Sequence, residues 1–168
     1  EIYANSDLIQ LIDGEVYPSM PPIPRHQAIV GAIFYFLLTF ARKKGGKAFT
    51  SPIELYLDEH NVYEPDALYL VPDSNCTVND KRLVGAPELV VEVLSPSTAK
   101  YDRHQKFNAY EQHAVREYWI VDPANETVEV YTLADNTLNR QGVYNREDEF
   151  TSPVLAQTVS VADVFADV

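Results

Sequence analysis

The chain has 168 residues, 46% of them apolar and 23% charged, and its 13 basic and 25 acidic side chains leave a net charge of −12. That apolar share excludes a disordered chain, and no stretch of about 18 apolar residues is present to cross a membrane as a helix. The strong acidity argues on its face against a nucleic-acid partner, because neutralising phosphates takes Lys and Arg. A single cysteine, Cys76, excludes a disulfide framework and a cysteine-built zinc site, and it points to a reducing, cytoplasmic setting. One domain is expected over 1–168, with its core at about 25–133. The first residue is Glu1 and not Met, which predicts a natural start upstream.

In chain order, Leu11-Ile12-Asp13-Gly14-Glu15-Val16-Tyr17 reads as a hairpin with Asp-Gly at its turn. Ser19 to Pro24 holds three prolines and is a stiff connector. From Arg25 to Lys44 apolar residues recur at helical spacing, and Phe36 and Phe40 make the segment apolar nearly all round, so a buried helix is expected. Basic residues in its last turn suit the helix dipole, and Gly45-Gly46 stops it. The period then changes to two. Residues 51–58 place Ile53, Leu55 and Leu57 on one face of a strand, and a second strand is expected over 62–71 with Pro65 at an edge or bulge.

Residues 72–86 read as polar loop with a short turn. Glu88 to Leu94 is apolar on both faces and reads as a central strand. A helix is expected over 99–113 with Phe107, Tyr110 and Ala114 toward the core. A fourth strand follows at 117–121, with Tyr118 and Trp119 in the core, and a turn at 122–126 leads to a strand at 127–131. Further turns are expected at Asn136 and at Gln141-Gly142, and a last helical turn at 162–165. The fold class is mixed α/β, with a helix crossing over between the third and fourth strands. Charge is uneven along this order: +5 over 25–47 and +2 over 99–116, against −4, −7 and −8 over 1–24, 48–98 and 117–168. The two positive stretches are the two long helices.

Glu92 interrupts the most apolar strand of the chain. A buried carboxylate costs several kcal/mol or gives up its charge, so Glu92 either sits at the strand's frayed end or needs a partner: a structural Lys or Arg, or a metal ion. Asp66, on the neighbouring strand with Val62, Glu64, Leu68 and Leu70, is either a turn-capping residue after Pro65 or the second carboxylate of a hard-metal site. Asp102, Lys106 and Tyr110 stand four apart on one helix face, as an exposed ion pair or as a group aimed back over the sheet. His26 at the start of the first helix either caps it or reaches the site. The start of the second helix, near Ser97 and Thr98, suits an anion. Ser95, Ser97 and Cys76 form no nucleophile–base pair.

Several of these segments recur together in one family. Leu11 to Val16, Pro24-Arg25-His26, Ser51-Pro52-Ile53, Glu64-Pro65-Asp66, Gly85 to Thr98, Asp102 with Lys106, and Val115 to Pro123 stand here in that family's order. The chain resembles the Uma-type endonuclease family, which is similar to the restriction-endonuclease-like PD-(D/E)xK nuclease superfamily. The resemblance implies an αβββαβ core with an N-terminal hairpin and extra C-terminal strands. It implies that Pro65-Asp66 and Glu92 are the acidic half-motifs; position 94, where the superfamily carries its lysine, is Leu, and Lys106 is the family's matching position. It further implies Mg²⁺ (or Mn²⁺) held by Asp66, Glu92 and the carbonyl of Val93, with His26, Asp102 and Tyr110 in support. The implied substrate is DNA, with a homodimer to cut two strands. The alternative class is a catalytically inactive nuclease fold used for binding or assembly.

Overall fold

The computed structural model describes residues 9–18, 21–96 and 99–166. The hairpin forms as expected from β1 (Ile9–Ile12) and β2 (Glu15–Pro18), with Asp13 and Gly14 both at positive φ, the geometry that a two-residue turn between twisted strands requires. Helix α1 (Pro24–Lys44) follows, Pro24 supplying a preset φ in its first turn. It buries Ile29, Val30, Ile33, Leu37, Phe40 and Ala41, yet Tyr35 is 72% exposed. The expectation of a helix buried all round is therefore corrected: the outward stripe is built on Ala28, Gly31 and Tyr35, and only one face has a sheet to pack on. Gly45 caps the helix, its N–H bonded to the Ala41 carbonyl, and Gly46 follows at φ +89°, where a Cβ would lie 2.2 Å from the Leu70 carbonyl.

The next residues depart most from expectation. Of the strand expected over 51–58 only the second half forms, as β4 (Leu55–Asp58), and an unexpected strand, β3 (Lys47–Thr50), precedes it; in place of one strand over 62–71 there are β5 (Asn61–Tyr63) and β6 (Ala67–Leu70). Pro52 and Pro65, which have no N–H to donate, sit in the two breaks. At each break the chain changes sheets. Two short strands, β7 (Thr77–Val78) and β8 (Leu83–Val84), lie in the segment expected to be loop. Then come β9 (Leu89–Val93), the helices α2 (Ala99–Arg103) and α3 (Gln105–Gln112), and β10 (Glu117–Asp122). The single helix expected over 99–113 breaks at His104, whose N–H bonds the Tyr101 carbonyl three residues back. The chain closes with β11 (Thr127–Ala134), β12 (Thr137–Asn145), β13 (Glu149–Ser152), β14 (Gln157–Ser160) and α4 (Val161–Val164).

The main sheet runs β12-β11-β10-β9-β6-β3, and a second sheet runs β2-β1-β5-β4-β8-β7. Read along the chain, α1, β3, β6, β9, α2/α3 and β10 make the expected αβββαβ order, with one correction: its first strand is β3 and not the strand expected over 51–58, whose β4 joins the second sheet. The fold class is mixed α/β. As expected, β9 is central, parallel to β10 and antiparallel to β6. Alternation sorts its residues: Leu89, Val91 and Val93 pack with α1, β13, β14 and α4, whereas Val90 and Leu94 pack with α3 and the second sheet. Tyr118 and Trp119 are both fully buried, on opposite faces.

Two further expectations are corrected. Ala114 is exposed at φ +60°; its N–H bonds the Glu111 carbonyl and that of Val115 bonds Tyr110, which together end α3 in a Schellman motif and hand the core position to Val115. Glycine suits that left-handed position better, so Ala114→Gly is expected to raise stability by about 0.5–1 kcal/mol, read as a melting temperature about 1–4 °C higher. Gln141-Gly142 is no turn but a bulge inside β12, where the register slips between Val130 and Tyr131 and the Tyr144 ring covers the glycine. The Asn136 turn is where it was expected, with Asp135 and Asn136 at positive φ.

Glu117, fully buried at the start of β10, fastens the β13–β14 hairpin. Trp119 Nε1 donates to one of its oxygens at 2.7 Å; Ser152 Oγ and the Val154 N–H donate to the other at 2.8 and 2.9 Å. Burial raises its pKa above the ordinary 4.5 despite these bonds. A carboxyl raised in the folded state favours folding at pH below its unfolded pKa, and that advantage is lost as pH rises through the folded value. Relative to Glu117→Gln, the parent is therefore expected to lose stability from pH 4 upward. Paired thermal melts across pH read that slope, since the other carboxylates cancel between the two chains.

Candidate active site

The β6–β9 register pairs Ala67 with Val91, so one step further along sets Asp66 opposite Glu92 on the face that looks toward α3. Pro65 ends the backbone ladder there, and the Asp66 side chain continues it: its Oδ2 accepts the Val93 N–H at 2.7 Å. The other peptide group of Val93 is also engaged, since His26 Nε2 lies 2.8 Å from its carbonyl. A carbonyl only accepts, so Nε2 carries the proton, and it lies 3.4 Å from the same Asp66 Oδ2. Burial opposes a charged imidazole, but the Asp66 carboxylate, the Val93 carbonyl and Glu92 outweigh it and hold the His26 pKa above its ordinary value. His26 makes no capping bond to α1.

Behind Asp66 lies a buried ionic cluster. Lys106 Nζ is 3.0 Å from Glu92 Oε1 and 3.1 Å from Asp102 Oδ1, and the Tyr110 hydroxyl donates to Glu92 Oε1 at 2.7 Å. Lys106, Glu92 and Asp102 are 3%, 2% and 1% exposed, which overturns the exposed-pair alternative for Asp102 and Lys106. Burial raises the Glu92 pKa, with Asp102 and Asp66 adding to it and Lys106 and Tyr110 opposing. For Lys106 burial works against the charge, but the carboxylates of Glu92, Asp102 and Asp66 overcome it and keep the proton on nitrogen. Glu92 thus has the structural lysine that its position demanded, together with a second carboxylate on the adjacent strand.

Asp66, Glu92, His26 and Lys106 line one cleft of about 910 Å³, with Asp102 and Tyr110 buried behind them. The sequence-derived residues Asp66, Glu92, Val93, Lys106, His26, Asp102 and Tyr110 therefore come together by direct contacts. Those contacts engage Oδ2 of Asp66 and Oε1 of Glu92, one oxygen of each carboxylate. Two carboxylates and a carbonyl are a hard, all-oxygen donor set, the kind Mg²⁺ takes while keeping waters and substrate phosphate as its other ligands. Among the described residues no group of three or more His, Cys, Asp or Glu side chains forms a ready metal cage. The donor set fits a cation shared with substrate, not a closed structural site.

Other expectations fall elsewhere. Ser97 and Thr98 lie outside the described residues. Val62 does not share the Asp66 strand, because β5 belongs to the second sheet. Cys76 is buried, and burial pushes its thiol up to about 11, consistent with an inert role. The positive charge of α1 does not flank the site: Arg42, Lys43 and Lys44 close the helix about 25 Å along its axis from Arg25. Sequence reasoning missed the outer wall of the cleft, formed by Gln10, Tyr17, Arg25, Tyr101 and Asp122. No spacing links these residues, as they come from five different segments. Glu64, two residues before Asp66, also lines it.

Comparison with known proteins places the family and the fold. The chain is 28% identical over 124 residues, 73% of its length and 70% of the relative's, to the uncharacterized protein sll1609 of Synechocystis. Its fold matches the crystal structure of a "putative nuclease belonging to DUF820" from Anabaena variabilis, with a TM-score of 0.77 and 18% identity over 94% of this chain and 89% of the other. The profile of the Uma2 family, described as "Putative restriction endonuclease", matches residues 3–164. The chain belongs to the Uma2 family.

Proposed function

We propose that the protein is an intracellular Mg²⁺-dependent DNA endonuclease, with Asp66, Glu92 and the Val93 carbonyl as the groups that hold the cation. The observation that carries this reading is the convergence of two carboxylates from neighbouring strands on one cleft, with a charged lysine buried against one of them. When bound, the divalent cation supplies Lewis acidity to a phosphate oxygen and makes water a better nucleophile. Lys106 and Tyr110 clamp one oxygen of Glu92, fixing its rotamer and favouring its ionised form. His26 orients the Val93 carbonyl and shares Asp66 with the Val93 N–H. Asp102 balances the lysine charge and places Nζ between two carboxylates. Water adds to phosphorus, and the bond to one sugar oxygen breaks. Cutting both strands of a duplex takes two such sites, hence two copies of the chain.

The test is cleavage of plasmid and short oligonucleotides with Mg²⁺ or Mn²⁺ and with EDTA, alongside calorimetric titration of the metal alone. Cleavage is expected only with the cation, and Glu92→Gln is expected to lower it by about 100-fold or more and to weaken metal binding. Cleavage that survives EDTA would overturn the reading. A chain that binds no metal and cuts no substrate would be a silent nuclease fold used for binding.

A further inference from the structure

The cleft has an outer wall unlike its floor. Tyr17 on β2 and Tyr101 on α2 stand there with ring centroids 4.7 Å apart and planes at 55°. The Tyr17 hydroxyl donates to Glu15 at 2.7 Å, which fixes the ring. Next to them the wall is proline and aliphatic, including Pro18, Pro22 and Ile23, the last 62% exposed. Cations are scarce. Among the described residues that line the cleft, two are Lys or Arg: Lys106 is buried between carboxylates, and Arg25 is 2.9 Å from Glu126. A duplex held by its backbone needs several phosphate contacts from Lys and Arg, more than these two supply. Both rings are half-buried against the core beneath, and their uncovered surface, with the apolar residues beside it, is one on which an unpaired base can stack and a base inside a duplex cannot.

We propose that the Tyr17–Tyr101 wall is a stacking platform for unpaired bases, and that the preferred substrate of this cleft is single-stranded DNA, as a free strand or an unpaired end. This rests on the nuclease reading for the chemistry, but not for the binding. The platform lines the same cleft as Asp66 and Glu92, so a strand stacked on it brings its phosphates into the cleft that holds the carboxylates, where a divalent cation offsets their charge.

The experiment uses the full chain with Ca²⁺ in place of Mg²⁺, titrated against a 12-nucleotide single strand carrying 2-aminopurine, the matching duplex and the matching RNA strand. The single DNA strand is expected to bind at least about tenfold tighter than the duplex, with 2-aminopurine emission quenched. Tyr17→Leu and Tyr101→Leu are each expected to lose about tenfold in affinity and most of the quenching, while Tyr17→Phe and Tyr101→Phe keep both. Melting temperatures close to the parent show that the variants are folded. The slope of log affinity against log salt is expected to be no steeper than about −1, the mark of one or two phosphate contacts.

Equal or tighter duplex binding, leucine variants that bind like the parent, a salt slope near −4, or tenfold preference for RNA would each overturn the proposal. The two readings fail differently. Quenching and tyrosine dependence without cleavage of any substrate would leave the platform standing and remove the nuclease. Mg²⁺-dependent cleavage indifferent to both tyrosines would do the reverse.

Discussion

Asp66→Asn is expected to remove cation-dependent cleavage, by about 100-fold or more, while leaving the fold almost untouched. The geometry separates the two effects. Oδ2 of Asp66 faces two donors, the Val93 N–H at 2.7 Å and His26 Nε2 at 3.4 Å, so asparagine turns its carbonyl oxygen to that side. Its amide group then points the other way and presents two donors where the cation needs an acceptor. Stability should change by less than about 1 kcal/mol, because the Val93 N–H keeps its partner. Asp66→Ala lacks that control: it leaves a buried N–H unpaired, at about 1–3 kcal/mol, and would confuse lost chemistry with lost structure. Cleavage rates, metal titration and thermal melts on both variants check this. An asparagine variant that cuts at the parent rate would remove Asp66 from the site.

Lys106→Met is expected to have the largest effect on stability. Methionine matches the length of the lysine stem, so the change removes charge more than volume. It leaves Glu92 and Asp102 buried without their shared cation, which costs about 3–5 kcal/mol and lowers the melting temperature by roughly 6–20 °C. Burial already raises the Glu92 pKa, and in the variant the lysine charge that opposed the rise is gone, so it moves further up. Its contribution to stability lies on the acid side and is lost as pH rises, so the gap to the parent should narrow toward pH 4. Adding Asp102→Asn to Lys106→Met is expected to restore part of the loss, since one buried charge is gone; the pair should depart from additivity by about 0.5–3 kcal/mol. Strict additivity at neutral pH would mean that the three groups do not act as a unit.

The strands at 89–93 and 117–122, the Asp13-Gly14 hairpin and the long first helix were legible in the sequence because each carries its own local cause. A strand buried on both faces reads as a continuous apolar run, a type I′ turn selects Asp-Gly, and a helix facing one sheet repeats its apolar residues at three and four. Glu92 was legible as an anomaly for the same reason: it is the charged residue in such a run. The stretch from Lys47 to Leu70 was not legible. Each of its short strands alternates as a strand should, but alternation does not say to which of two sheets a strand belongs. Pro52 and Pro65 marked breaks without saying that the chain crosses over at them. Ala114 was misplaced because helical spacing continues arithmetically past the point where a Schellman motif ends the helix.

The same division holds for the site and for the charge. From the sequence alone follow the αβββαβ order and the choice of Asp66 and Glu92 as candidate carboxylates, because residue types and spacings are local and the family resemblance runs along the chain. Three things were decided only by the tertiary structure. One is that Asp66 faces Glu92, a matter of antiparallel register between β6 and β9. Another is that Lys106 is a buried counter-ion and not a surface charge, a matter of how α3 seats on the sheet. The third is where the charge of a −12 chain goes: the basic end of α1 lies far from the cleft, and the wall beside the carboxylates is aromatic and apolar. Sequence sums charge along the chain, whereas a ligand meets it in space, and only folding sets which of these side chains share a surface.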